Sequence, residues 1–197
     1  MNTKQTLRGL IAATLAGIAF GATAQSAQPP AGLKWQMMHD AIFNANMFTA
    51  TATEQENALL AKIWNKEIEA SGIMNDGSRY ASFAVIGDIE YQDTKIILTM
   101  FNSHNSNCIQ PGNGSGMVDM YSTCPLRIIK FFGDSKNTEQ NLPVNFCMLY
   151  GDDPNNSRAK NHIEYGFDKR SGIVYLRTIQ YGKVVPACNR ALRVFKV

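Results

Sequence analysis

Four cysteines, three histidines and a few carboxylates are the residues of this chain whose chemistry could do more than fill a fold. Cys108, Cys124, Cys147 and Cys188 can pair as two disulfides in three ways, or act as thiolate ligands or nucleophiles. His39, His104 and His162 stand in no metal-binding spacing such as HExxH. His104 precedes Cys108 by four residues, so a zinc site drawing on thiolates can be written on paper. Asp88 and Glu90 lie two apart in an alternating segment, hence on one face of a strand. Such a pair suits general acid–base catalysis inside a cleft, and on a solvated face it is surface charge.

Several shorter patterns fail on context. Ser157-Arg158-Ala159-Lys160 matches S-x-x-K, but it follows Asp153-Pro154-Asn155-Asn156 in a loop and has no K-T-G partner. A lysine assists a serine only from the next turn of a helix. Gly112 to Gly116 offsets its serine from G-x-S-x-G and lacks the lysine of a phosphate loop. Asp152-Asp153 lacks the alternation of a calcium loop.

The first 24 residues bear on all of these. Lys4 and Arg8 form a basic start, Leu10 to Phe20 is an uninterrupted run of apolar and small residues, and Ala22-Thr23-Ala24 offers a small-x-small cleavage site before Gln25. The run is shorter than the roughly 20 residues that cross a bilayer. There is no twin-arginine pair and no cysteine at the cleavage point for a lipid. The expectation is a cleaved export signal and a protein in the periplasm, with secretion as the alternative. An oxidising compartment turns cysteines into disulfides, which removes them as metal ligands or nucleophiles. No metal or cofactor is expected. Cys108–Cys124 with Cys147–Cys188 is the favoured pairing, and the first bridge would close a loop worth about 3 kcal/mol in the chain-entropy picture.

Charge narrows the partners. Losing Lys4 and Arg8 leaves 17 basic against 16 acidic residues, so the balance falls from +3 to +1. That speaks against a general nucleic-acid binder. Arg177, Lys183, Arg190, Arg193 and Lys196 are the only basic concentration, suited to an acidic partner or to shielding an edge strand.

The elements that would position these residues follow from periodicity. Residues 25–32 (QSAQPPAG) read as a flexible leader, and 33–197 as one disulfide-stabilised domain. Trp35, Met38, Ile42 and Ala45 recur at helical spacing and predict a helix over 33–48. Thr53 and Glu56 form a capping box before Leu59, Leu60, Ile63, Trp64 and Ile68, predicting a second helix closed by Gly72, with Ile73 packing back on its last turn. Trp35 and Trp64 are expected in the core. From Arg79 the period becomes two. Residues 79–102 predict a hairpin turning at Gln92-Asp93, and 126–132, 144–150, 162–167, 172–181, 184–185 and 192–197 predict further strands. The expected fold is therefore α+β: an N-terminal helical pair on an antiparallel sheet of 6–8 strands, open or partly closed into a barrel.

This general plan resembles small periplasmic inhibitor and immunity proteins, which present a disulfide-pinned loop on an antiparallel sheet; the resemblance is one of architecture alone. With no catalytic constellation and with long polar loops bearing Tyr and Met, the leading expectation is a binding or interaction module of inhibitor, immunity or accessory type, ahead of an enzyme. Its partner would be another envelope or secreted protein, or a cell-wall component. The expected contact surface is the Cys108–Cys124 loop with Asn113, Met117 and Met120, His104 and Asn105 at its base, and Tyr121 as an aromatic anchor. Two alternatives compete with this: an envelope hydrolase using His104 with Asp88 and Glu90, and a structural subunit of a secretion or conjugation machine.

Overall fold

The computed structural model describes residues 28–44, 50–109, 121–132, 138–149 and 158–195. In chain order these form β1 (Gln36–Met37), β2 (His39–Phe43), α1 (Glu54–Ile63), α2 (Asn65–Glu69), β3 (Ser82–Tyr91), β4 (Thr94–Ser103), β5 (Tyr121–Phe132), β6 (Thr138–Leu149), β7 (His162–Asp168), β8 (Ile173–Gln180), β9 (Lys183–Val184) and β10 (Arg190–Arg193). Strands dominate, and they make two five-stranded sheets, antiparallel throughout. One runs β1-β7-β8-β10 with β9 also on β8, and the other runs β2-β3-β4-β5-β6. The expected helical pair on a single sheet or partial barrel is thus wrong. The export signal, residues 1–24, lies outside the described residues.

The first predicted helix is the source of the error. Residues 36–43 are two short strands on different sheets: β1 pairs with β7, and β2 with β3. Between them the Met38 amide donates to the Ile163 carbonyl at 2.8 Å. Met38 is buried between the sheets, whereas Ala41 is buried on the far face of the second sheet. A chain that changes sheets turns apolar residues inward at intervals of three, which imitates a helical stripe. Residues 28–32 of the expected leader run beside the first sheet, and the Leu33 amide donates to Pro30 O at 3.2 Å.

The second helix begins as expected. Thr53 accepts from the Glu56 amide at 3.2 Å, and the Glu56 carboxylate accepts from the Thr53 amide at 2.7 Å. It breaks at Trp64 and continues as the single turn of α2. Gly72 is left-handed at φ +95°, but Ile73 is 66% exposed rather than packed back. The space beside Gly72 is taken by Tyr80 and Asn105 instead.

The sheets face one another across one apolar core. Val85, Leu98, Met100, Leu126, Ile128 and Phe146 meet Ile163, Tyr165, Val174, Leu176 and Leu192 there. Leu60 and Trp64 cover the other face of the second sheet, against Ala84, Ile86, Ile97, Phe101 and Ile129. This double covering explains why central β4 is buried on both faces from Ile96 to Phe101 rather than alternating. Each fully buried aliphatic side chain contributes about 1.5–3 kcal/mol.

Both expected disulfides are present. Cys108–Cys124 pins the segment after β4 to β5, and Cys147–Cys188 joins β6 of one sheet to the turn before β10 of the other. The Thr178 hydroxyl, donating to Cys147 O at 3.1 Å, adds a buried polar tie between the sheets.

Candidate functional site

The described part of the predicted contact surface sits beside a groove of about 270 Å3 on the helical side of the second sheet. Trp64 and Phe101 make its aromatic floor, stacked with centroids 5.3 Å apart. Trp64 is held by its indole N–H, which donates to the Thr99 hydroxyl at 3.0 Å. Arg127 lies 3.8 Å above the Trp64 ring, donates to Glu67 and reaches Ile63 O at 3.4 Å. A cation over the π-face of tryptophan and in a carboxylate fork is fixed in direction as well as charge.

The position of Arg127 follows from a local irregularity. The β5–β6 register shifts between Pro125 and Arg127, where Pro125 and Pro143 supply no amide to the ladder. Proline in a sheet interior is accommodated at such a bulge, which re-aims neighbouring side chains. Leu126 consequently joins the inter-sheet core while Arg127 faces the helices.

The other wall is the segment after β4. The Ser106 amide donates to Ser103 O at 3.1 Å and its hydroxyl to Asn102 Oδ1 at 2.6 Å, closing a tight turn. Asn105 Nδ2 donates to Ala70 O at 3.0 Å, fastening this wall to the end of the helical segment. His104 is exposed and stacks flat on Tyr80 at 4.1 Å. Beyond it, Ile109 and Thr123 exchange backbone hydrogen bonds of 2.9 and 2.8 Å, so the stem of the Cys108–Cys124 loop is closed by a bridge and a β-pair together. Asn113, Met117 and Met120 lie outside the described residues. Tyr121 is the first residue of β5 and packs half-buried against the inter-sheet core.

The residues of the hydrolase alternative do not assemble. Asp88 lies opposite Ile97, whereas His104 follows the pair Ser82↔Ser103, six positions along β3. Strand rise makes that separation about 20 Å. Asp88 is paired with Lys95 at 3.2 Å. Ser157 and the Asp152-Asp153 pair lie outside the described residues. Among the described residues no group of three or more His, Cys, Asp or Glu could hold a metal, and no helix is long and apolar enough to cross a membrane. The basic residues near the C-terminus disperse: Arg177 is on Glu164 and over Trp35, while Arg190 and Arg193 donate to backbone carbonyls.

Two further polar clusters are structural ties. Asp40 takes Arg158 and Thr51, and His39 meets Glu56 at 2.9 Å, joining β2 to the start of α1. His162 and Arg177 share Glu164 on the outer face of the first sheet.

Sequence reasoning passed over Trp64, Phe101, Glu67 and Arg127 as groove residues. One signal was present: a charge inside the apolar run Leu126-Arg127-Ile128-Ile129 needs a partner. Comparison with known proteins finds no matching family, no matching curated protein and no matching solved structure.

Proposed function

We propose that this chain is an exported binding module, working in the bacterial periplasm, that holds a partner protein or cell-wall component on the groove between its helices and β4–β5. The observation that carries this reading is the groove's composition. Trp64 and Phe101 are buried, and they hold above them a partly exposed, oriented Arg127, a residue type enriched at interfaces. The rim of Ser103, Asn105, Ser106 and Asn107 supplies hydrogen-bonding groups, and the disulfide-closed stem makes the adjoining wall rigid. Rigidity before binding reduces the ordering cost of association.

Filling the groove tests this. Ser103→Arg with Asn107→Arg adds bulk at the rim and leaves both apolar cores alone. Affinity capture from envelope extracts, and co-sedimentation with isolated sacculi, compare this variant with the wild type at equal melting temperature. At least tenfold lower recovery of the wild type's partner supports the reading; equal recovery overturns it. Fractionation with mass spectrometry of the mature N-terminus tests the export step, with Gln25 as the expected first residue.

A further inference from the structure

The edge of the first sheet is interrupted beside Arg177. β9 and β10 both pair with β8, β9 at Ile179↔Val184 and Gln180↔Lys183, and β10 from Leu176↔Arg190 to Ile173↔Arg193. Arg177 and Thr178 fall between the two pairings. Here the chain leaves the sheet as a short 3-10 turn, Pro186–Cys188, and the bridge to Cys147 draws Cys188 into the inter-sheet core. The Val185 amide still donates to Thr178 O at 2.9 Å, so the gap is fixed at its edge by a hydrogen bond and at its base by a disulfide.

A pocket of about 180 Å3 lies at this gap. Pro29, Trp35, Tyr175 and Val184 give it apolar surface, and Gln28 and Asn189 supply amides. Arg177 and Arg190, although held by different partners, both line it, and no carboxylate does. Each guanidinium is oriented. Arg177 donates through Nε to Glu164 and lies 3.9 Å over the Trp35 ring. Arg190 donates through Nη1 to Ala187 O at 2.9 Å and Asn189 O at 2.8 Å. Among the described residues, no hydrogen bond engages the Nη groups of Arg177 or the Nε and Nη2 of Arg190.

The charge left over indicates the ligand. Glu164 offsets Arg177, whereas Arg190 has no ion pair among the described residues. One uncompensated charge, with free N–H groups on two planar forks, matches a singly charged carboxylate better than a doubly charged phosphate. The rest of the lining indicates what carries that carboxylate. Sugar hydroxyls need acceptors, and the side chains here offer only amide and phenol oxygens. An apolar side chain lies well against Trp35, Pro29 and Val184, and a main-chain amide suits Asn189 or Gln28. The volume admits one such residue.

We propose that this pocket captures the carboxyl terminus of a partner polypeptide whose last residue is apolar. The terminal carboxylate takes the free N–H groups of Arg177 and Arg190, and the last side chain covers Trp35 and Val184. Both guanidinium groups are oriented beforehand and the turn beside them is tied to the core, so little has to be ordered on binding. The site shares no residue with the groove beside Trp64 and does not rest on it.

The probe is an array of peptides with free carboxyl ends and randomised last four positions, incubated with the oxidised wild-type protein. Selected sequences are then titrated by fluorescence anisotropy. Peptides ending in an apolar residue should be selected, and amidating their carboxyl group should weaken binding at least tenfold. Val184→Glu, a change at an exposed position, puts a carboxylate into the pocket and should weaken binding by a similar factor at unchanged melting temperature. Arg190→Lys keeps the charge without the fork and should weaken it severalfold. In nuclear magnetic resonance spectra of the unaltered protein, the Trp35 indole N–H and the Arg190 Nε–H should shift as peptide is added. Glucuronic acid, a carboxylated sugar, should not displace the peptide at equal concentration. Selection of no apolar-ended peptide, amidated peptides binding as tightly as free acids, undiminished binding to Val184→Glu or to Arg190→Lys, unmoved Trp35 and Arg190 signals, or displacement by glucuronic acid would each overturn the proposal.

Discussion

The Tyr165 hydroxyl donates to the carbonyl of Asp88 at 2.9 Å, and its ring fills the space that any side chain at residue 87 would need. One tyrosine from the first sheet thereby fixes the approach of β3 in the second. Burial, with the Asp88 charge adding to it, pushes the phenol up to about 12. A raised phenol stabilises the fold fully below its ordinary value near 10 and loses that contribution as pH rises through the folded value. Tyr165→Phe should cost about 1 kcal/mol at neutral pH, measured by urea unfolding. The variant should also lack the part of the wild type's alkaline destabilisation that sets in above about pH 10.

Gly87→Ala tests the same contact from the other side. A Cβ there would stand 2.8 Å from Cε1 and 2.9 Å from Cδ1 of Tyr165. Both partners are buried, so the expected loss is about 1–3 kcal/mol, typical of overpacking. Combined with Tyr165→Val, which vacates the space, the cost should be clearly less than the sum of the single changes in a double-mutant cycle.

The capping box predicts an acid-side effect. Burial of Glu56 would raise its carboxyl, but hydrogen bonds from the Thr53 amide, His39 and the Thr53 hydroxyl outweigh it and hold the group below the ordinary 4.5. Its contribution is therefore complete above that value and is lost as pH falls through the folded one. Melting temperature against pH should show the wild type declining below about pH 4.5, and Glu56→Gln a flatter curve. Thr53→Ala should cost about 1 kcal/mol at pH 7.

The two disulfides should differ in worth. Cys147–Cys188 spans 41 positions and Cys108–Cys124 spans 16, so chain entropy assigns about 4 and about 3 kcal/mol respectively. Replacing each pair with serines and comparing urea midpoints should show the larger drop for Cys147–Cys188. Equal drops would mean that the 108–124 loop has a constraint beyond its length.

What was legible in the sequence was local. The capping box at Thr53 and Glu56, the hairpin at Gln92-Asp93 and the alternation of β7 and β8 all depend on neighbours within a few residues. The failure at 33–48 has a physical cause, since Met38 and Ala41 answer to two different cores that no local pattern distinguishes. β5 and β6 start before the expected 126 and 144 and run through Pro125 and Pro143, which tertiary pairing accommodates at a bulge. In the candidate site, His104 and Asn105 were found through their nearness to Cys108. Trp64, Phe101 and Arg127 come from three separate elements and meet only when the sheet has formed. The gap between β9 and β10 was invisible for the same reason, since a gap exists only relative to the strands that stop on either side of it.

The pairing of Gln36 with Tyr165 also governs when this protein can exist as a folded object. A chain emerging N-terminus first presents β1 early, yet β1 has nothing to join until β7 has arrived, and β10 closes the same sheet later still. Pairings between such distant segments form slowly. The consecutive pairings of β3 to β6 can form before that, so the second sheet can assemble first and the first sheet closes over it last.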